Sequence, residues 1–196
     1  ARTHGEDVLQ ISRRIVESFG IVEGPVYIQM LIGDEGVKVN EVACRIGGAY
    51  EDEFIPHLTG VDLHELAFAE AVTGAPTPLG ERKLREYHYP APGALSVLLF
   101  FTHPLTVAST GDIERVLAVP GVISGRYLLS PGDRVGPMKN STGRAGYVIL
   151  QAGGSKELNH RIREVYRRLA VYDAEGTNML ADYSEESLQP EGVSDM

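Results

Sequence analysis

Five residues between positions 29 and 48 could hold a cation and an anion side by side. They are Gln29, Glu41, Arg45, Gly47 and Gly48. Amide and carboxylate oxygens suit Mg²⁺, which takes one or two protein groups and completes its shell with water and phosphate oxygens. A guanidinium can grip a phosphate or a carboxylate with two parallel hydrogen bonds, and paired glycines let backbone N–H groups approach an anion closely. The same spacing also fits an ordinary salt-bridged strand end.

These residues must be positioned by the segment from Gly24 to Gly48. Within it, two apolar and β-branched runs flank the turn sequence Gly-Asp-Glu-Gly at residues 33–36, a pattern typical of a β-hairpin. The second predicted strand carries Glu41 towards its end. A carboxylate at the end of a strand, beside a cation and a glycine-rich loop, is where a sheet commonly meets a ligand.

The register of this hairpin decides whether the candidate ligands meet. If residues 34–35 alone form the loop, Gln29 lies opposite Asn40. If Gly36 is a third loop residue that forms a G1 bulge with positive φ, Gln29 lies opposite Glu41 instead. We favour the second register, because it accounts for the glycine and leaves no lone carboxylate on an apolar face.

From Gly24 to about Gly74 the chain resembles the last part of an ATP-grasp domain. The signature of that superfamily is a strand with Glu or Gln, followed by a strand that ends in Glu-x-Asn/Ala-x-Arg. The resemblance implies that Gln29 is the first metal ligand and that Glu41 is the metal-bridging glutamate. It implies further that Arg45 steadies the acyl-phosphate or its phosphate donor, and that the cofactor is Mg²⁺ with ATP.

Two details bear on the branch of the superfamily. Ala43 stands where Asn is commoner, which removes a third metal contact, although ATP-grasp carboxylases of purine synthesis also carry Glu-x-Ala-x-Arg. The sequences Arg-Ile-Gly-Gly at residues 45–48 and Gly-Val-Asp-Leu at residues 60–63 resemble the L-amino-acid ligase branch more closely. In that branch Gly47 and Gly48 would shape the loop over the substrate.

Composition excludes several other classes of function. The 196 residues are 43% hydrophobic and 23% charged, with a formal net charge of −9 at pH 7, which argues against nonspecific nucleic-acid binding. A single cysteine, Cys44, excludes an internal disulfide and a cysteine-cluster metal site and fits a reducing cytoplasm; we expect it to be a small buried filler. No apolar run approaches the length that crosses a membrane.

We predict an α+β fold, with an antiparallel sheet and covering helices over residues 1–80 as the C-terminal lobe of an ATP-grasp domain. Residues 81–176 are predicted to form a small α/β domain and residues 177–196 a peripheral extension with Tyr183 and Leu188 as docking points. Proline and charge at residues 75–83 indicate a linker.

Other elements follow from periodicity. We predict helices over 6–19, from Asp62 to Gly74, over 112–118 and over 155–169, and strands over 95–102, 122–129 and 145–151. In the last helix, one apolar stripe should face the core: Leu158, Ile162, Val165 and Leu169.

The second block resembles the small C-terminal domain of L-amino-acid ligases. The match lies in turn and strand patterns at residues 120–122, 130–135 and 143–149. The loop at residues 140–144 could hold an anion or could be a plain surface loop.

No glycine-rich phosphate loop precedes Gly24 and no P-loop occurs, and the chain starts with neither an initiator methionine nor a signal sequence. The sequence therefore predicts the C-terminal fragment of an ATP-dependent carboxylate–amine ligase, inactive without N-terminal nucleotide-binding lobes. Its partners would be ATP and a small carboxylate or amine substrate, and a homodimer is compatible with this prediction. The alternatives are an ATP-grasp carboxylase or purine-type ligase, and a noncatalytic dimerisation or regulatory module.

Overall fold

The predicted hairpin is present in the computed structural model of the chain, which describes residues 4–74, 78–86 and 93–182. The chain divides into two units, residues 1–89 and 90–196. Both combine helices with antiparallel strands, which confirms the α+β prediction. The described elements of the first unit are, in chain order, α1 (His4–Ser18), β1 (Tyr27–Gly33), β2 (Gly36–Ala43), α2 (Glu51–Thr59), α3 (Leu63–Thr73) and α4 (Pro78–Glu86).

The hairpin has the favoured pairing of Gln29 with Glu41, but its loop and the position of its extra residue differ from the prediction. Gly33 pairs with Gly36, so the loop contains only two residues, and the prediction of a three-residue loop is wrong. The same register continues to Met30 opposite Val39 and then shifts by one residue, so that Gln29 pairs with Glu41. The extra residue is therefore a β-bulge within β2 and not part of the turn.

Helix α1 packs against both strands of the hairpin and ends close to its predicted boundary. Gly20 has φ +63°, and its N–H donates to the carbonyl of Glu17 at 3.1 Å. A left-handed residue just beyond the last turn is the usual stop of a helix, and glycine adopts it without a steric penalty.

The first unit buries little of its apolar surface. Among its described residues only Val61 is buried. Cys44 is exposed, so the prediction that it fills a buried gap is wrong. Large apolar side chains also face outwards: Leu9, Phe19, Val22, Leu31, Ile32, Val39, Phe68 and Val72. A surface of this kind is typical of an element whose packing partner lies elsewhere.

The segment predicted to be a linker contains a helix, α4, over Pro78–Glu86. Residues 75–77 lie outside the described part of the chain. Two ion pairs one helical turn apart support α4, between Glu81 and Arg85 and between Arg82 and Glu86. Proline at the first helical position is also favourable, because its missing N–H has no partner there in any helix. The charge that suggested a linker therefore stabilises a helix.

The second unit is built on a three-stranded antiparallel sheet in the order β3-β8-β6. Its described elements are β3 (Ala94–Phe100), β4 (Leu105–Thr106), β5 (Ser109–Thr110), α5 (Ile113–Leu117), β6 (Val122–Tyr127), β7 (Arg134–Val135), a 3₁₀ turn (Ser141–Gly143), β8 (Gly146–Ala152), α6 (Ser155–Tyr166) and β9 (Val171–Tyr172). The two short pairs are β4 with β7 and β5 with β9. No helix in the described residues is both long and apolar enough to cross a bilayer.

The core of the second unit lies between this sheet and α6. Phe100, Val148 and Leu150 on the sheet have no exposed surface, and they pack in one cluster with Leu158 and Val165. The whole predicted stripe of the last helix is buried: Leu158, Ile162, Val165 and Leu169. Because the stripe recurs every three or four residues, it lies on one face of the helix, and Arg167 and Arg168 remain exposed.

The chain remains paired with this unit after β9. The Met179 N–H donates to the Val171 carbonyl at 2.8 Å, and the Ala181 N–H donates to the Phe101 carbonyl at 2.9 Å. Residues 177–182, which the sequence assigned to a peripheral extension, thus continue the fold. Tyr183 and Leu188 lie outside the described residues.

A glycine in β8 should be essential to the sheet. A Cβ atom on Gly146 would overlap the Phe100 ring and the Arg126 carbonyl oxygen. We expect Gly146→Ala to lower the free energy of unfolding by roughly 1–3 kcal/mol, as overpacking does in other cores. Urea denaturation of the 196-residue chain, followed by far-UV circular dichroism, measures this.

The matched control is Gly136→Ala, because that glycine has open space around its missing Cβ and no positive φ. The control should be neutral or slightly stabilising. Equal effects of the two alanines would contradict the close packing of Phe100 against β8.

Candidate functional site

The bulge in β2 brings three polar side chains together on the hairpin. Two residues of a bulged strand oppose one residue of its partner, and here Asn40 and Glu41 lie against Gln29. The Asn40 side-chain amide donates to the Gln29 amide oxygen. The Gln29 amide nitrogen donates in turn to the Tyr27 hydroxyl at 3.1 Å. The two bonds fix the Gln29 amide with its oxygen towards β2 and its nitrogen towards Tyr27.

The side chain of Arg45 closes this arrangement. Its Nη2 atom lies 3.5 Å from the Glu41 carboxylate oxygen Oε1, and its Nη1 donates to the Ile46 carbonyl at 2.9 Å. Its guanidinium carbon lies 5.6 Å from the centre of the Tyr27 ring, within the range of a cation–π contact. Tyr27 therefore links the guanidinium to Gln29, and the three predicted site residues lie in one connected group.

The ion pair between the Glu41 carboxylate and the Arg45 guanidinium is exposed to solvent. The side chain of Glu41 is 49% exposed and that of Arg45 is 55% exposed. Exposed ion pairs contribute at most about 1 kcal/mol, so a stronger ligand can displace this contact. The Glu41 carboxylate and the Gln29 amide oxygen are hard oxygen donors of the kind that Mg²⁺ takes, and the exposure leaves room for water and phosphate oxygens.

The loop after β2 is held by a carboxylate from α2. The Ala49 N–H donates to the Glu51 oxygen Oε2 at 2.6 Å, and a Cβ on Gly47 would overlap the same carboxylate. Gly47 is therefore required for this close approach, whereas Gly48 has open space around it. The structure places Glu51 against the loop that was predicted to approach a substrate anion.

Sequence reasoning missed two members of the site, Tyr27 and Asn40. Tyr27 could have been found, because alternate residues of a strand share a face and it lies two positions before Gln29. Asn40 lies opposite Gln29 in the alternative register that the sequence allows, but nothing in the apolar pattern of β2 marks the bulge that brings both Asn40 and Glu41 to Gln29. Across residues 4–74, 78–86 and 93–182, no three His, Cys, Asp or Glu side chains form a metal-binding cluster.

A small apolar cavity of about 280 Å³ lies beside the start of β1 in the same unit. Leu63, Leu66 and Ala67 of α3 form one wall, and Glu23 and Glu70 lie at its rim. The pKa of Glu70 is raised, chiefly by desolvation and further by the hydrogen bond and the negative charge of Glu23. Two carboxyl groups that share a proton in this way repel each other once both are ionised.

Part of the second unit matches a known family model, and the chain shares its fold with several solved structures. Residues 97–173 match the model of the family described as L-amino acid ligase C-terminal domain 2. An L-amino acid ligase from Bacillus licheniformis superimposes with a TM-score of 0.72 at 18% identity, over 88% of this chain and 42% of the ligase. Comparison with curated protein sequences gave no significant match.

Two further solved structures share the fold. Phosphoribosylglycinamide synthetase from Anaerococcus prevotii has a TM-score of 0.68 at 10% identity, over 83% of this chain and 40% of that one. The third is the biotin carboxylase domain of Hydrogenobacter thermophilus 2-oxoglutarate carboxylase, solved with magnesium ADP and bicarbonate. It has a TM-score of 0.60 at 13% identity, over 87% of this chain and 36% of that one. This chain thus spans about two fifths of the length of each of these structures.

The carboxyl pair at the cavity rim predicts a pH-dependent effect of Glu70→Gln. Because the folded state raises the pKa of Glu70 above its ordinary value, it binds the proton more tightly than the unfolded state, and stability falls as the pH rises through and above that ordinary value. The amide should therefore raise the thermal midpoint at pH 8. The gain should vanish at pH 4, where the wild-type carboxyl is protonated.

Circular dichroism melts at both pH values measure this, with Glu65→Gln on the same helix as the control. Glu65 does not contribute to the pKa shift of Glu70, and it lies in the first turn of α3, where a negative charge is favourable. The control should therefore give no gain at pH 8. A gain for Glu70→Gln that is as large at pH 4 as at pH 8 would disprove the shared-proton pair.

Proposed function

We propose that this chain, which has the fold of the C-terminal portion of ATP-grasp ligases and carries an L-amino acid ligase C-terminal domain 2 at residues 97–173, supplies the metal-holding part of a ligase active site. The reaction proposed is the ATP-dependent joining of a carboxylate to an amine through an acyl-phosphate. The observation that carries this proposal is the cross-strand pair of Gln29 and Glu41, with Arg45 beside it.

Gln29 and Glu41 would hold the Mg²⁺ that accompanies ATP. When bound, the cation neutralises charge that develops on the phosphate oxygens, which is the main requirement of phosphoryl transfer. The donation from Asn40 to the Gln29 oxygen uses one lone pair of that oxygen and leaves a second for the cation. A solved structure with this fold contains magnesium ADP, which supports the same cofactor for this chain.

Arg45 would stabilise the acyl-phosphate formed from the substrate carboxylate. Its guanidinium is held over the Tyr27 ring and by the Ile46 carbonyl, so its position does not depend on the weak contact with Glu41. A positive charge fixed in advance at the point where negative charge develops lowers the barrier without reorganisation. The amine then attacks the acyl carbon and phosphate leaves.

The exposed apolar surface of the first unit supports the proposal that further lobes complete this site. Phe19, Leu31 and Ile32 are more than half exposed, although apolar residues of a hairpin and its covering helix normally pack against a core. We infer that the N-terminal lobes of an ATP-grasp enzyme cover this surface and bind the nucleotide. The chain alone should then not turn over ATP.

The second unit supports one substrate class over another. Its match to an L-amino acid ligase domain favours amino-acid substrates and dipeptide formation. The fold shared with phosphoribosylglycinamide synthetase favours a purine-type ligase as the second candidate. An assay of phosphate release with free amino acids, and with a ribosylamine or bicarbonate in their place, distinguishes the two.

The metal role predicts the effect of Glu41→Gln in the enzyme that contains the nucleotide-binding lobes. Loss of one ligand charge should lower the rate of ATP-dependent phosphate release by about a hundredfold or more, comparable to the removal of one preorganised electrostatic group elsewhere. A coupled phosphate-release assay at saturating Mg·ATP measures the rate. The matched control is Glu35→Gln, because Glu35 lies in the hairpin loop, its side chain is 87% exposed and it forms an ion pair with Lys38 at 3.5 Å.

The control should retain the wild-type rate. Near-wild-type release by Glu41→Gln would reject the metal role, and equal losses in both variants would show that any charge change in the hairpin impairs the enzyme. Calorimetric titration of the complete enzyme with Mg·ATP tests the noncatalytic alternative, which predicts no heat of binding.

A further inference from the structure

We propose that Tyr27 is a positioning residue for the metal ligand Gln29. Its hydroxyl holds the nitrogen end of the Gln29 amide and thereby keeps the amide oxygen available as a donor to the cation. The inference rests on the proposed function, in which Gln29 and Glu41 hold Mg²⁺. It gives the Tyr27 hydroxyl a role of its own, separate from that of the ring, which holds Arg45.

A glutamine ligand needs an orienting partner that a glutamate ligand does not need. An amide has one oxygen and one nitrogen at its end, whereas both end atoms of a carboxylate are oxygens. Only the amide oxygen can donate a lone pair to a metal ion, and the N–H hydrogens carry partial positive charge that repels the ion. Gln29 is therefore a good ligand only when neighbouring groups determine which end of its amide faces the cation.

Two neighbouring side chains determine the orientation of the Gln29 amide. Its Nε2 donates to the Tyr27 hydroxyl at 3.1 Å, and its Oε1 accepts from the Asn40 side-chain amide. Tyr27 and Gln29 are two positions apart in β1, so their side chains lie on the same face of the hairpin. The hydroxyl therefore acts as the acceptor for the nitrogen end, and the oxygen end is left facing β2.

Tyr27 is itself held in position. Its backbone pairs with Ala43 in the hairpin, and the centre of its ring lies 5.6 Å from the guanidinium carbon of Arg45. Tyr27 is also partly buried, whereas Glu41 and Arg45 are exposed. Because the ring is already fixed, its hydroxyl can orient the amide before a cation binds, and less entropy is lost on binding.

The test is the dissociation constant of the 196-residue chain for Mn²⁺, a substitute for Mg²⁺, measured from the electron paramagnetic resonance signal of free Mn²⁺. Tyr27→Phe keeps the ring and removes only the hydroxyl. It should raise the dissociation constant about tenfold, as the loss of a partner that orients a metal ligand does in other sites. The matched control is Tyr166→Phe in the second unit, which removes a hydroxyl that donates to the Ala181 carbonyl at 3.3 Å. The control should leave the dissociation constant unchanged.

A second comparison repeats Tyr27→Phe in a chain that also carries Gln29→Glu. The glutamate carboxylate has no nitrogen end, so the hydroxyl has nothing to orient. The double variant should therefore bind Mn²⁺ at least as tightly as Gln29→Glu alone. An equal rise of the dissociation constant in both backgrounds would show that the hydroxyl acts through the packing of the hairpin, and it would overturn the inference.

Glu41→Gln separates a failure of this inference from a failure of the proposed function. If Glu41→Gln abolishes Mn²⁺ binding while Tyr27→Phe leaves it unchanged, the metal site is supported and only the role of Tyr27 is overturned. If the wild-type chain does not bind Mn²⁺, or if Glu41→Gln binds it equally well, the metal role fails and the inference about Tyr27 fails with it.

Discussion

The candidate site formed by Gln29, Glu41 and Arg45 depends on a single extra residue in β2. Up to Met30 opposite Val39, the hairpin keeps the register of a two-residue turn. In that register Gln29 would face Asn40, and Glu41 would face Ile28. Because successive residues of a strand point to opposite faces, a one-residue shift changes which oxygen donors meet. The bulge makes that shift between Met30 and Gln29 and brings Glu41 opposite Gln29, while the Asn40 amide still donates to the Gln29 oxygen.

The two units differ in how they bury apolar surface. In the second unit, Phe100, Val148 and Leu150 of the sheet and Val165 of α6 are fully buried, so this unit has its own core. In the first unit the hairpin and helices leave large apolar side chains exposed. Because the first unit leaves this apolar surface uncovered, the proposed metal site needs further lobes to exclude water.

Several features could be predicted from the sequence because they depend on local patterns. The buried stripe of α6 follows from helical spacing, and Asp62 caps α3 as its position predicts, with its side chain accepting from the Glu65 N–H at 2.9 Å. The pairing of Gln29 with Glu41 was also predicted, although for the wrong reason. Gly36 does have a positive φ, of +92°, yet it pairs within the strand and is not the source of the shift.

Other features depend on contacts that no single segment reveals. The charges in α4 were interpreted as those of a linker, because ion pairs between Glu81, Arg82, Arg85 and Glu86 become visible only once the segment is helical. The buried Thr102 hydroxyl, which has no hydrogen-bond partner within the part of the chain that the structure describes, is equally invisible in sequence, since burial and pairing are properties of the fold.

The most direct measurement of the central claim is paramagnetic broadening of side-chain amide signals by Mn²⁺, a substitute for Mg²⁺, in the ¹⁵N-labelled 196-residue chain. The bulged hairpin predicts that the Gln29 and Asn40 amide signals broaden first, while those of Gln10 and Gln151 remain sharp, and that Glu41→Gln removes the effect. Uniform broadening of all four signals, or broadening that persists without the Glu41 carboxylate, would contradict the claim that the two strands hold a divalent cation between them.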